Sequence, residues 1–446
     1  MPRPTELPWG KPRRELLLLA LVAVAALSPV YVVSTQDVTR LCLTRALVHA
    51  HLTIEPCAGR TIDRASYGNH TYTDKAPGLS VLAIPAAEAV RLPSPRSWTF
   101  EGDPRLWGVR LLTTGLAFLL LAFAFGRVSE GIAPGYGAPA LVAFALGTLV
   151  APLAASMFDH VAAGAFAFAS FLLAWSRRYG LAGLAGGLAA TTNYATGLIG
   201  IVLAVYVLLA GARPLLRYAI GSLPPLVLLG AYDWAAFGSP FHLSYRYVAN
   251  RFASDQASGF FGIHIPPVHG IHLVLIGDRG LLVASPVVVA AAAGLVLLAR
   301  QHRAEAIASG AVFALLLVAN CGYYTPYGGI SPGPRFLVPA LPFLALGLAP
   351  AFARWRIPTA ILGGVSIVAT TTLTLTWAGS ENANYRDTVW GELVRFLKDG
   401  TGSRLYGELA KNAIVWAGPN RLVAAAAVCS CAAAAFLIAV ARPLRR

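Results

Sequence analysis

Apolar runs of about 20 residues recur from one end of this chain to the other, separated by short polar stretches. A run of that length matches the hydrocarbon thickness of a bilayer, where unpaired backbone N–H and C=O groups are costly and the helix pairs them internally. The pattern therefore dictates an all-α polytopic membrane protein. Spans read at about 15–33, 106–126, 137–156, 158–175, 181–193, 195–212, 217–237, 281–300, 304–323, 335–353, 357–378 and 421–441, about twelve in all. Only 12% of residues are charged, against about 25% in a soluble chain. That leaves one transmembrane domain over 1–446 and no separate soluble domain. The segment 181–212 is short for two crossings at about 1.5 Å per residue. It predicts two short or re-entrant segments turning at Thr191-Thr192-Asn193-Tyr194, where non-helical backbone needs protein or a wet cavity around it.

Short basic clusters return between spans at Lys11–Arg14, Arg177-Arg178, Arg213–Arg217, Arg300–Arg303, Arg354–Arg356 and Arg442–Arg446. This is the positive-inside signal, and it predicts both termini in the cytoplasm of a bacterial inner membrane. The net charge of +15 does not signal nucleic acid, because no cluster is interleaved with stacking aromatics. The first span is too long for a signal-peptide core and lacks a cleavage site, so it reads as a retained anchor. With this topology only Glu6, Glu15, Glu130 and Glu305 fall on the cytoplasmic side, and the other sixteen acids lie outside or at outer span ends. The chemistry belongs to the exported face, in loops 34–105, 238–280 and 379–420 and the turns between them.

The first exported loop is the most distinctive. It carries seven of the twenty carboxylates and Lys75, one of four lysines in a chain that otherwise uses arginine. Val38, Leu41, Cys42, Ala46 and Leu47, and again Leu79, Leu82, Ala83 and Ala86, recur at helical spacing and predict amphipathic helices in the membrane interface. Pro77 favours a helix start, which puts Asp74 and Lys75 at a tight entry. Cys42 and Cys57 lie where oxidation is permitted, so they either pair or pack as two thiols.

An acid held at the membrane surface can take a proton from an attacking hydroxyl, worth about 10²–10⁴ in rate. Asp37, just past the first span, is the candidate. Cations at outer span ends, Lys75, Arg279 and Arg335, suit a departing phosphate, lysine as a point charge and arginine as a fork. His264, His269 and His272 fall within nine residues. They either join Asp74 or Asp159 around a divalent metal or line a sugar or lipid groove, and their spacing is not that of a structural zinc site.

These residues resemble the GT-C glycosyltransferases, nearest the branch of protein O-mannosyltransferases and lipid A aminoarabinose transferases. That branch carries an acid after the first span and a Tyr-x-Glu-Lys-Pro-Pro run; here Asp37 is followed by Tyr72-Thr73-Asp74-Lys75-Ala76-Pro77, with Asp for Glu and Ala for the first proline. Asp159, followed by His160, occupies the short turn where the branch has a further acid. Tyr327-Gly328-Gly329-Ile330-Ser331-Pro332-Gly333-Pro334-Arg335-Phe336 resembles its Gly-Gly-x-x-x-Gly-Pro-Arg segment. The resemblance implies a GT-C-like fold and transfer of a sugar from a polyprenyl-phosphate donor to a glycan, lipid or protein hydroxyl, with inversion. It gives Asp37 the role of catalytic base or acceptor-orienting acid, Lys75 the donor phosphate, and Asp159 the positioning of acceptor or metal. Beside these, the reading assigns Arg279 and Arg335 to the donor phosphate by their place at outer span ends and Asp74, His160 and Tyr72 to support. The rival readings are a secondary transporter and a non-catalytic membrane scaffold or flippase partner. A transporter would bury ionisable groups near the midplane, and this sequence crowds them on one surface.

Overall fold

The computed structural model describes residues 12–29, 33–95, 98, 104–329, 331–376, 388–391, 393–394 and 421–441. The exported loop expected at 379–420 lies largely outside them. The segment expected as the first span forms α1 (Pro12–Leu27), and the loop expected on the exported side folds as α2 (Thr35–Val48), a hairpin of β1 (Ala65–Tyr67) and β2 (His70–Tyr72), α3 (Gly78–Leu82) and α4 (Ile84–Ala89). The chain then enters the bundle through α5 (Pro104–Arg110), which runs by a π-helical turn at Leu111–Gly115 into α6 (Leu116–Ile132). The bundle continues with α7 (Gly137–Gly147), α8 (Val150–Leu153), α9 (His160–Trp175), α10 (Tyr179–Thr192), α11 (Gly197–Leu208) and α12 (Ala212–Phe237). After the short α13 (Ala253–Ala257) come α14 (Val268–Ile276), α15 (Leu281–Ala284), α16 (Val287–Leu298) and α17 (Arg303–Cys321). The last are α18 (Leu341–Ala345), α19 (Leu348–Arg354), α20 (Arg356–Thr376) and α21 (Arg421–Ala441).

Among the described residues four helices are long and apolar enough to cross a membrane, Pro104–Ile132, Ala212–Phe237, Arg303–Cys321 and Arg356–Leu375. Two bent pairs raise the number to six. The span expected at 281–300 is one of these, because Val268–Ala284 meets Val287–Leu298 at 87°. Pro286 sits in the break, and Ser366 Oγ accepts the Val287 N–H at 2.8 Å, which supplies the partner the interrupted helix lacks. The 335–353 span also bends, by 51°, between Arg335–Ala345 and Leu348–Arg354.

Small residues set the helix contacts. A Cβ on Gly183 would lie 1.8 Å from the Tyr218 carbonyl oxygen, and one on Gly221 would lie 1.9 Å from that of Gly180, so α10 and α12 pack backbone to backbone. Gly294 and Gly347 do the same between α16 and the α18–α19 bend. Glycine is required at each contact because no other side chain fits, and hydrocarbon solvent gives helices little other reason to approach.

The exported segment differs from its expectation as interfacial helices. α2 buries every residue from Gln36 to Thr44 inside the protein. Its apolar residues join Leu79, Ala83, Ala86 and Leu106 in a core of their own, into which Met157 and Ala162 project from the bundle. The disulfide Cys42–Cys57 forms and ties α2 to the strand-bearing segment. The hairpin is a second departure from the all-α expectation: Ala65 pairs with Tyr72 and Tyr67 with His70 around Gly68, whose φ is +57°. Its signal, two aromatic-bearing triplets around Gly-Asn, was present in the sequence.

Candidate active site

The exported segment and the bundle enclose a polar cavity of about 150 Å³. α2 enters it by its first turns. Ser34 caps the helix and Asp37 closes the capping box, which fixes the helix start and turns Gln36 and Arg40 toward the cavity. The break between α10 and α11 supplies Asn193, in the turn expected to be non-helical and wet. Asp74 and Lys75 reach the cavity because the following residue pair seats on that break: a Cβ on Gly78 would lie 2.5 Å from the Thr191 carbonyl oxygen. Pro77 stands one residue ahead of α3, as its preference for helix starts implies.

Among the residues lining the cavity, the carboxylates Asp63, Asp74 and Asp159 stand against the buried Arg40 and Arg335 and the partly buried Lys75. Asp159 receives Arg40 Nη2 at 2.6 Å and Asn193 Nδ2 at 3.0 Å, with His160 Nδ1 at 3.0 Å. Burial alone would raise its carboxyl, yet the Arg40 charge and these partners hold it far below the usual carboxylate range. Asp159 is a fixed negative charge. Lys75 Nζ lies 2.8 Å from Asp63 Oδ1 and 3.0 Å from Asp74 Oδ2. Burial opposes its charge, but the two carboxylates outweigh that and keep the ammonium protonated. Burial also pushes Asp74 up to about 6, with the neighbouring Asp63 charge adding to the rise and Lys75 opposing it. Asp74 Oδ1 has no hydrogen-bond partner among the described residues.

Arg335 differs from the other two cations. Its guanidinium lies over the Phe158 ring at 4.8 Å, and its Nε has no hydrogen-bond partner among the described residues. Gly328 and Gly329, with φ of +76° and +84°, wrap the turn around it; a Cβ on Gly328 would lie 2.6 Å from Arg335 Nε. The first glycine of the Gly-Gly-x-x-x-Gly-Pro-Arg pattern thus has a local reason, since Gly328 clears the space the arginine occupies.

Several of the residues singled out in the sequence lie away from the cavity. Asp37 is 2% exposed and does not line the cavity. Its Oδ1 accepts from Met157 N at 2.8 Å and Arg110 Nε at 3.1 Å, and its Oδ2 from Ser34 N at 2.8 Å and Ser34 Oγ at 2.5 Å. Four donors leave it no lone pair facing a substrate, so it anchors α2 to the bundle. Tyr72 packs against Phe237 at 5.2 Å in a satellite core. Arg279 does not line the cavity, and its backbone N–H donates to the Tyr327 hydroxyl at 3.4 Å. His264, His269 and His272 are exposed, and among the described residues no group of three His, Cys, Asp or Glu side chains could hold a metal ion. His264 and His269 instead line an adjoining groove of about 710 Å³. Lys75, Asp74, Asp159, His160 and Arg335 do converge on one cavity. Sequence reasoning missed Gln36, Arg40 and Asp63, which no motif marks.

Two grooves open from the cavity. One, about 210 Å³ and almost wholly apolar, runs between Leu198 and Ile201 of α11 and Leu316 and Ala319 of α17. It shares Tyr245, Tyr323 and Phe336 with the cavity, and Ile201 is 61% exposed at its outer side. The other is the histidine groove, which meets the cavity at Tyr323, Tyr324, Thr325 and Gly329.

No family model matches this chain, and no curated protein matches it in sequence. Solved structures that resemble it include two of ArnT from Cupriavidus metallidurans. The apo form is 16% identical with a TM-score of 0.53, covering 96% of this chain and 75% of that one. The form bound to undecaprenyl phosphate is 17% identical with a TM-score of 0.53, covering 96% and 76%. The likeness runs over nearly the whole chain at an identity too low to carry side-chain roles, and its conclusion is one of architecture: this membrane protein has the ArnT fold.

Proposed function

We propose that the chain is a GT-C-type glycosyltransferase that moves a sugar from a polyprenyl-phosphate donor to an acceptor hydroxyl on the exported face, with inversion. The observation that carries this reading is the joining of an apolar groove, open at α11, to a cavity where Arg335 has no anionic hydrogen-bond partner among the described residues. An isoprenoid tail suits the groove and a phosphate suits the arginine fork. ArnT, which shares the fold, has been solved with undecaprenyl phosphate bound. The reading also takes the sequence topology as it stands, with about twelve spans, both termini cytoplasmic and the cavity facing outward.

In this mechanism the donor phosphate lies against Arg335 and the Lys75 ammonium, whose charges stabilise the phosphate as it leaves. Asp74 takes the proton of the acceptor hydroxyl as its oxygen attacks the anomeric carbon. A base titrating near 6 is ionised at neutral pH yet still basic enough to accept a proton. Asp159, held ionised by Arg40, balances the positive charge that develops on the sugar ring. The acceptor enters by the histidine and tyrosine groove.

The test is binding of undecaprenyl phosphate by the purified protein in nanodiscs, followed by transfer from a panel of undecaprenyl-phosphate sugars. Saturable binding that is lost in Arg335→Ala supports the reading. No binding by the wild-type protein overturns it, and a product that keeps the donor's anomeric configuration overturns the single displacement.

A further inference from the structure

Asp63 has no role in the mechanism above, yet it is buried in the cavity wall at the centre of its hydrogen bonds. Its Oδ1 is shared by two donors, Lys75 Nζ at 2.8 Å and Gln36 Nε2 at 3.0 Å. Its backbone is pinned on both sides: Thr39 Oγ1 donates to its carbonyl at 2.7 Å, and its N–H donates to Thr61 Oγ1 at 3.0 Å. Thr39 and Gln36 belong to the buried stretch of α2, which the disulfide and Asp37 hold in place. Asp63 is therefore a carboxylate fixed to a rigid helix. Lys75 is the opposite, a flexible stem whose ammonium sits between Asp63 and Asp74 and has three N–H groups to place.

We infer that Asp63 is a positioning residue that parks the Lys75 ammonium in the empty cavity and competes with the donor phosphate for it. The inference rests on the proposed function, because it needs an anionic donor. When phosphate arrives, Lys75 exchanges one carboxylate oxygen for a phosphate oxygen, and Asp63 keeps its Gln36 bond. No covalent bond changes and charge is conserved. The other charged and titratable groups facing this pair are Asp74, Arg40, Arg335, Asp159 and Tyr245. They remain in place, so the exchange is local to one lysine. The arrangement explains why the motif carries a lysine where the chain favours arginine: a planar fork locked on two carboxylates would not swing between partners.

The consequence has an unusual sign. Removing a buried anion from a phosphate site removes both a competitor for the cation and a repulsive charge. Asp63→Asn is expected to bind undecaprenyl phosphate about fivefold more tightly than wild type in nanodiscs. Asp63→Glu, which keeps the charge, is expected to stay within about threefold of wild type. In a Lys75→Ala background the gain from Asp63→Asn is expected to fall to less than half. A merely structural Asp63 predicts the reverse, weaker binding together with a lower unfolding temperature. Should Asp63→Asn fail to fold, Gln36→Leu removes the other claimant on Asp63 Oδ1, and weaker binding by about threefold is then expected. Equal or weaker binding by a folded Asp63→Asn, or unchanged binding by Gln36→Leu, overturns the inference while leaving the function intact. Absence of binding by wild type overturns the function and the inference with it.

Discussion

Asp37 and Asp74 are both buried acids of the first exported segment, 2% and 4% exposed, and their surroundings separate them. Asp37 has four donors and no route to the cavity. Asp74 has Lys75 on one oxygen, no partner on the other among the described residues, and a place in the cavity wall. The sequence position after the first span favours Asp37, and the count of hydrogen bonds reverses the order. A carboxylate with all its lone pairs engaged is structural material, while one left half-satisfied in a polar cavity holds basicity in reserve.

The comparison breaks most sharply under substitution. Asp74→Asn is expected to lower the transfer rate by about 10²–10⁴ while undecaprenyl phosphate still binds, measured as single-turnover rates beside equilibrium binding. Asp37→Asn is expected to act on stability, at about 3–5 kcal/mol, because it breaks the buried ion pair between Asp37 and Arg110. Thermal unfolding reads that loss, and transfer per folded molecule should stay within a few-fold of wild type. If Asp37→Asn instead abolishes transfer in a folded protein, the assignment of the base returns to Asp37.

Next in size is Gly78→Ala. A methyl 2.5 Å from the Thr191 carbonyl must lift the segment carrying Asp74 and Lys75 off the α10–α11 break. A loss of about 10² in kcat/KM is expected from a displacement near 1 Å. The pH dependence sharpens the same point. Asp74 must be ionised to accept a proton, so kcat/KM should rise with pH through about 6 and level off above it. Asp74→Asn should remove that limb, and Asp37→Asn should not. The smallest expected effect is that of a chelator. Arg40, Lys75 and Arg335 already supply positive charge in the cavity, so EDTA should change transfer by less than about twofold. A tenfold loss restored by a divalent ion would put a metal there.

Much of this was legible in the chain. Periodicity and length gave a helical membrane protein, and Pro77 marked the entry to α3. The Asp-Lys and Gly-Gly-x-x-x-Gly-Pro-Arg runs pointed to Lys75, Asp74 and Arg335. The non-helical turn at Asn193 was legible because the intervening segment is too short to cross twice. The hairpin was missed although its Gly-Asn turn was visible, and the bends at Pro286 and Gly347 were hidden inside apolar runs.

What the sequence by itself determined is the solvent the chain folds in and the residues that must lie outside it. Apolar length and basic punctuation are local properties, and so is the need for glycine where Arg335 folds back on its own turn. What only the tertiary structure decided is which carboxylate is free. Asp37 is saturated by Met157 and Arg110, and Asp159 is claimed by Arg40, 119 positions away. Asp63, with no motif around it, becomes the partner of Lys75. Hydrogen-bond saturation is a property of neighbours distant in the chain, and it separates acids that the sequence presents as equals.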